Sequence, residues 1–395
     1  MKKHNILAAA VSMAVFTMST TATAEPAITD YNEATSSYED AYITGQFNMD
    51  SGNQDQTSYD VDLELDFERV LSSPDRNVKL DLVGAGSRNR GGDAGDESTS
   101  SYQATGTATM DKYFAPGSNG AFWYGKGEVG VQKGQVDPRT AVTGGLGYGR
   151  VKNVTPMARS IRVIQELRKR GVLSGDPANA TYQSVAQVVA KEGEYRSKYG
   201  GADYEQYWVE DIEKALKASG MVKGGGDLGA RAILKSYDVL VNERISTRKS
   251  GWLARAGVGA VLSDFDGSNG KPVIEVGGEY HRPLSNQTQF SNEALATATY
   301  DDGDDGYSFN NTMSLTHELT DRIDWENRWL LAHSTSDVAN DITSNTISST
   351  YRYYLTNQLD LNVTAKLTDV EDDIDNNGND ELDKSLNMGV TYRLK

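Results

Sequence analysis

The 395 residues contain no cysteine, which excludes disulfides and thiolate metal sites. Histidine is nearly absent as well, at four residues. Beyond residue 24 only His281, His317 and His333 are left, and no nucleophile motif accompanies any of them, so the chain does not read as an enzyme. No segment approaches the roughly 20 continuous apolar residues of a membrane-spanning helix. Basic residues are outnumbered, 39 Lys and Arg against 56 Asp and Glu, for a net charge of -17. That balance excludes nucleic acid as a partner. Proline is scarce at 8, whereas Gly reaches 39 and Tyr 21 with only 37% hydrophobic residues. This composition suits strands that set only every second residue in an apolar environment.

Residues 1–24 read as a secretory signal. Lys2 and Lys3 start it, Ile6 to Met18 is a short apolar run, and Ala22-Thr23-Ala24 makes an A-x-A cleavage site. A polar lead follows at 25–37. Strands are then predicted near 38–49, 57–69, 77–87, 101–112, 121–133 and 140–151. Eight more follow near 252–264, 272–282, 288–300, 307–318, 323–334, 345–355, 358–369 and 383–394. Val61, Leu63, Leu65 and Phe67 alternate with Asp60, Asp62, Glu64 and Asp66, and Leu386, Met388, Val390 and Tyr392 alternate with polar residues near the chain end. Such strands exceed the usual soluble strand of about 5–6 residues and match a tilted membrane crossing of about 9–11.

The connections sort by parity. Ser72-Ser73-Pro74-Asp75, Pro283-Leu284-Ser285-Asn286, Thr320-Asp321-Arg322 and Thr356-Asn357 are short turns, and longer polar loops lie between them. A soluble β-sandwich has no reason to sort its loops this way. An outer-membrane barrel does, with the short side in the periplasm. Tyr and Trp fall near both sets of strand ends, as two interfacial girdles require. The predicted fold is thus a transmembrane antiparallel β-barrel of about 14 strands (12–16 allowing for error), built from 38–152 and 251–395.

Between those parts, 153–250 reads as an all-α insertion separating strands 6 and 7. Met157, Ile161 and Ile164, then Tyr182, Val185 and Val189, then Trp208, Ile212 and Ala215 recur at helical spacing. The fourth helix carries Ile233, Tyr237, Leu240 and Val241. Thr155-Pro156 and the Asp203/Gln206 pair read as helix starts; Gly171, Gly200 and Gly220 read as stops. Six strands precede the insertion, so parity puts it in the periplasm. A unit of about 95 residues has a radius of gyration near 12 Å, too large to sit inside the barrel. It is expected at the inner mouth, where it caps, gates or docks.

Apart from residues 155–249, the chain after the signal resembles porin-like outer-membrane β-barrels of Gram-negative bacteria. It departs from them in ending Tyr392-Arg393-Leu394-Lys395 instead of on an aromatic residue. The resemblance implies insertion by barrel-assembly machinery, contact with outer-membrane lipid and lipopolysaccharide, and passive passage of small solutes. The inward faces carry both signs: Asp62, Glu64, Asp66, Glu279, Asp324, Glu326 and Asp360 with Lys79, Lys126, Arg255, Arg328 and Arg352. In a wide barrel these line a wet pore and set ion preference; in a narrow one they pair and fill the lumen. The alternative to a channel is an occluded barrel that anchors the helical unit, which then binds a periplasmic protein or peptidoglycan. Basic residues of the unit (Arg168, Lys169, Arg170, Arg196, Lys198, Lys214, Lys217, Arg248, Lys249) either form a solvated face or are drawn to the acidic barrel mouth. Gly144, Gly145, Gly147 and Gly149 mark a close approach or a bend.

No cofactor is expected, with one qualification in the last outer loop. Asp373, Asp375, Asn377 and Asn379, with Glu381 at position nine, follow the start of a calcium-binding loop, with Gly378 at the turn. Position twelve is Lys384 instead of a bidentate Glu. A weak extracellular Ca2+ site and a solvated acidic loop tip are the two readings.

Overall fold

A computed structural model describes residues 26–394 other than 226, 302, 304, 338–340, 357 and 373–380. The signal at 1–24 and the calcium-like loop apart from Glu381 lie outside the described residues. Fourteen antiparallel strands close into a barrel in sequence order. They are β1 (Ser36–Asp50), β2 (Ser58–Ser72), β3 (Arg76–Arg90), β4 (Thr99–Tyr113), β5 (Ala121–Gln132), β6 (Arg139–Asn153) and β7 (Lys249–Ser263). The second half is β8 (Lys271–Pro283), β9 (Thr288–Thr299), β10 (Gly306–Thr320), β11 (Ile323–Ser336), β12 (Ile342–Tyr354), β13 (Leu359–Asp372) and β14 (Asp383–Arg393). Several strands run two or three residues past their predicted ends, because ladder pairing continues into polar residues that carry no alternation signal. Closure comes from β1 against β14, with Tyr42 opposite Arg393 and Gly45 opposite Val390.

The alternation seen in the sequence becomes the two faces of the wall. Phe47, Leu63, Val129, Leu146, Val258, Val276, Leu386 and Met388 are all exposed on the outside, Leu386 and Met388 by about two thirds of their area. An apolar belt around the whole molecule is far larger than the few hundred Å² a soluble monomer leaves open, and it is what a barrel in a bilayer requires. At one end of the belt sits an aromatic girdle. Tyr148 packs on Trp252 with ring centroids 6.1 Å apart, and Trp325 stacks on Tyr351 at 6.0 Å. The chain is therefore an outer-membrane-type β-barrel. No helix among the described residues is long and apolar enough to cross a membrane.

The helical unit occupies residues 154–248, at the same end as the short turns. It holds five helices where the sequence suggested about four: α1 (Thr155–Lys169), α2 (Asn179–Val189), α3 (Glu192–Tyr199), α4 (Tyr204–Lys217) and α5 (Ala230–Tyr237), then a π turn at Asp238–Asn242. Helix α3 buries no residue completely, so it has no apolar stripe to reveal it. The expected spacing builds the core elsewhere: Met157, Ile161, Ile164, Tyr182, Val185, Trp208 and Ile212 are buried together. Ile28 and Tyr31 of the lead join that core, and Asn179 Nδ2 donates to Asp30 over 2.8 Å. The lead thus belongs to the helical unit.

Two helix starts are built differently from their expectation. Asp203 makes no side-chain cap; the Tyr204 N–H at the helix start donates to the Gly200 carbonyl. Thr155 lies inside α1; Asn153 Oδ1 accepts its N–H at 3.0 Å, while its hydroxyl accepts from Arg248 N–H at 2.9 Å. Gly145, Gly147 and Gly149 of β6 face the backbone of β7. A Cβ at Gly145 would fall on the Ala256 carbonyl oxygen, and one at Gly147 on the Phe122 ring. Gly145→Val should therefore abolish the compact, heat-modifiable form of the barrel on gels; normal migration would show that β6 and β7 can separate at no cost.

Candidate functional site

The lumen is open at one end and filled at the other. Toward the longer loops it holds a cavity of about 860 Å³, lined by Asp62, Glu64, Gln103, Arg328, Arg352 and Lys366 among others. Toward the helical unit a small pocket of about 60 Å³ lies beside Tyr38, Lys79, Arg255 and Glu279. Inward groups there are shielded from water: Asp360 is 0% exposed, and Glu318 and Asp324 are 3%.

What fills this end is a strap, residues 243–248, on which the chain returns from the helices to β7. Glu243 stays with the helices, pairing with Lys235 at 2.8 Å, whereas Arg244, Ser246, Thr247 and Arg248 each reach a different part of the wall. Arg244 approaches Asp360 of β13 at 3.8 Å and lies over the rings of Tyr42 and Tyr354. Ser246 Oγ donates to Asp324 of β11 over 2.9 Å, and Thr247 Oγ1 donates to Asp40 of β1 over 3.1 Å. Arg248 donates to Glu318 of β10 over 2.7 Å and to the Asn286 carbonyl in the β8–β9 turn. Lys249, where the strap becomes β7, reaches across to Glu68 of β2 at 3.0 Å. The strap and Lys249 thereby join five strands, β10, β11, β13, β1 and β2, along one side of the barrel. The opposite side of the strap faces the helices, where Ile245 packs into their core.

Glu318 is the hub. Its Oε1 accepts from Arg248 and from Ser246 N–H at 3.0 Å, and its Oε2 accepts from Arg162 of α1 at 2.7 Å. Burying one carboxylate costs several kcal/mol, which paired, hydrogen-bonded cations offset. Burial also pulls the Arg248 guanidinium below its ordinary pKa, while Glu318 pulls it back up. Arg159 of α1 is lowered by burial too.

The sequence-predicted inward residues fall into two groups. Asp62, Glu64, Glu326, Arg328 and Arg352 border the large cavity, and Asp66 is exposed on the same face of β2. Lys79, Lys126, Arg255, Glu279, Asp324 and Asp360 lie in the filled end instead. Lys126 pairs with Glu275 and Arg255 with Glu279, Lys79 with Glu68 at 3.3 Å, and Arg352 approaches Asp360 at 3.5 Å. Pairing offsets the partial loss of solvation at these positions, whose side chains are at most 30% exposed. Of the calcium-like set, Glu381 is exposed.

Glu318, Arg162, Arg244, Ser246 and Thr247 were not singled out from sequence. Alternation along β10 does place Glu318 inward, but the other four lie in segments without strand period. Of the basic residues in the unit, Arg248 and Lys249 enter the acidic mouth, whereas Lys169, Lys214 and Lys217 pair locally on the helices with Glu166, Asp211 and Asp227. The acidic outer loops are drawn together by Lys271, 3.2 Å from both Asp264 and Asp301.

A sequence search against curated proteins gives no match. Among solved structures the chain is similar to the β domain of the Bordetella autotransporter BrkA, at 7% identity over 91% of this chain and 99% of that one, TM-score 0.30. It is also similar to OmpT, an outer membrane protein of Vibrio cholerae, with loop L8 deleted (8% identity, 91% and 99%, TM-score 0.33). Omp33 of Acinetobacter baumannii gives 8% identity over 92% and 99%, TM-score 0.28. Residues 243–355 match the model of a protein family of unknown function, DUF481; the matched segment begins at the strap and ends just beyond β12.

Proposed function

We propose that the protein is a channel of the Gram-negative outer membrane for passive passage of small polar solutes, closed at rest by the strap, with its helical unit in the periplasm. The observation that carries this reading is the origin of the plug. The outer half of the lumen is wide and polar, and its floor is formed by side chains from a segment that is not part of the wall. A removable floor is what a gate requires. Asp62, Glu64 and Asp66 on β2 and Arg328, Arg352 and Lys366 on β11–β13 then set which solutes enter. Catalysis has no part in this reading, and neither does a resident cofactor.

The runner-up is an occluded barrel that anchors the helical unit, which binds a periplasmic protein or peptidoglycan. The same filled floor speaks for it. Single-channel conductance in planar bilayers separates the two, using the whole protein and a version with residues 154–248 replaced by a short turn. Conductance steps in the replacement, with rare or no steps in the whole protein, are the expected result. Silence in both, with both folded, would leave the anchor.

A further inference from the structure

One group of side chains at the filled end has a donor that the ion-pair network leaves unused. His281 on β8 faces the lumen and is 2% exposed. Ser291 Oγ lies 2.9 Å from its Nδ1, whereas its Nε2 is buried without any hydrogen bond. That nitrogen is aimed between two carboxylates, Glu279 Oε2 at 3.6 Å and Glu293 Oε1 at 3.8 Å. The ladder brings them together: Glu279 and His281 are two apart on one face of β8, and Glu293 stands opposite Glu279 on β9.

Separations of 3.6 and 3.8 Å are too long for hydrogen bonds. In the tautomer with Nδ1–H donating to Ser291, the Nε2 lone pair is aimed between the two carboxylates and is available to ligate a cation placed among the three. The spacing suits a metal ion better than a proton. Ligand atoms about 2.0–2.2 Å from a tetrahedral ion stand roughly 3.3–3.6 Å from one another, and the three donor atoms here all lie within 4.8 Å. The surrounding residues fit too. Ser291 orients the imidazole, and Arg255 holds the other oxygen of Glu279, as outer partners of metal ligands do. Lys79 pairs with Glu68 and Asp81 and also sets its positive charge beside Glu293 and Glu279, which favours their ionised, metal-binding form. Glu293 is 43% exposed on its side chain, which leaves an entry path from the lumen.

We propose that Glu279, His281 and Glu293 bind a divalent first-row transition-metal ion of the zinc class, water completing its coordination. The imidazole selects against Mg2+ and Ca2+, which take oxygen ligands. The site couples to the strap through Gln289, whose amide donates to the Lys249 carbonyl at 3.0 Å and to Ser291 Oγ at 3.4 Å.

The test uses the full-length protein, folded in detergent and stripped with a chelator, then titrated with Zn2+ by calorimetry and with Co2+ by visible absorption. One Zn2+ per chain and the d–d bands of tetrahedral Co2+ are expected. His281→Ala should lose both, and Glu293→Gln should bind Zn2+ at least about tenfold more weakly. Heat-modifiable migration verifies that each variant is folded, and Glu293→Gln keeps the readout should His281→Ala misfold. The proposal fails if the parent protein binds no Zn2+, or if both variants bind it as the parent does, which would assign the ion to the acidic outer loops.

Discussion

Glu318→Ala should detach the strap and α1 from the barrel mouth, with an expected cost on the order of 3–5 kcal/mol, the range for breaking a buried ion pair. The two cations it leaves behind do not suffer equally. Arg162 keeps Asp321 at 2.8 Å, whose side chain is two-thirds exposed, and Glu243 at 3.6 Å. Arg248 keeps the Ser246 and Asn286 carbonyls and, as its remaining counter-charge, Asp324, and it is 0% exposed. Most of the penalty therefore falls on Arg248. An energy of that size raises the population of the undocked strap by about 10²- to 10⁴-fold. Limited trypsin digestion of the folded protein reads it directly, because Arg244, Arg248 and Lys249 are cleavage points only when the strap leaves the lumen. Unchanged protection in Glu318→Ala would mean that the strap is held by its backbone and not by this hub.

A second large effect is expected inside the helical unit. Trp208 is fully buried, and its indole N–H donates to the Val188 carbonyl over 2.9 Å. Trp208→Ala should cost roughly 3–5 kcal/mol in lost packing, with a further penalty of about 1 kcal/mol for the unpaired carbonyl. Domains of this size are stable by only about 5–15 kcal/mol, so much of the margin goes. The barrel should not follow, because its hydrogen bonds close on the neighbouring strands and its apolar belt faces lipid. Circular dichroism is expected to show loss of helix at a lower temperature, while the strand signal and heat-modifiable migration persist. Helices and strands melting together, at the parent temperature, would contradict this separation. Coupled melting at a lowered temperature would instead show that the docked hub transmits the damage.

The barrel was legible because its physics is periodic. One face of every strand meets lipid and the other meets the lumen, so residues such as Leu361 and Asn362 differ in kind at every step. Loop parity followed from antiparallel connectivity, and the helix pattern of 155–241 from a core packed at 3.6-residue spacing. The inward charges on β2, β11 and β12 were likewise read from alternation, as were Lys79, Arg255 and Glu279.

What alternation does not contain is depth along the lumen, and depth decides whether an inward charge meets water. Asp62 and Asp360 have the same character in sequence, yet one borders the cavity and the other is buried beneath Arg244 and Arg352. That difference depends on where a separate segment comes to rest. Residues 243–248 have neither strand nor helix period, since four of their side chains answer to four different strands and the others to the helices, so their role appears only once those strands are arranged around them. The convergence of Glu279, His281 and Glu293 likewise depends on strand register. The sequence by itself determined a barrel interrupted by helices, because wall and core repeat; the tertiary structure alone decided that the lumen is closed at one end, because that closure is made by contacts that do not repeat.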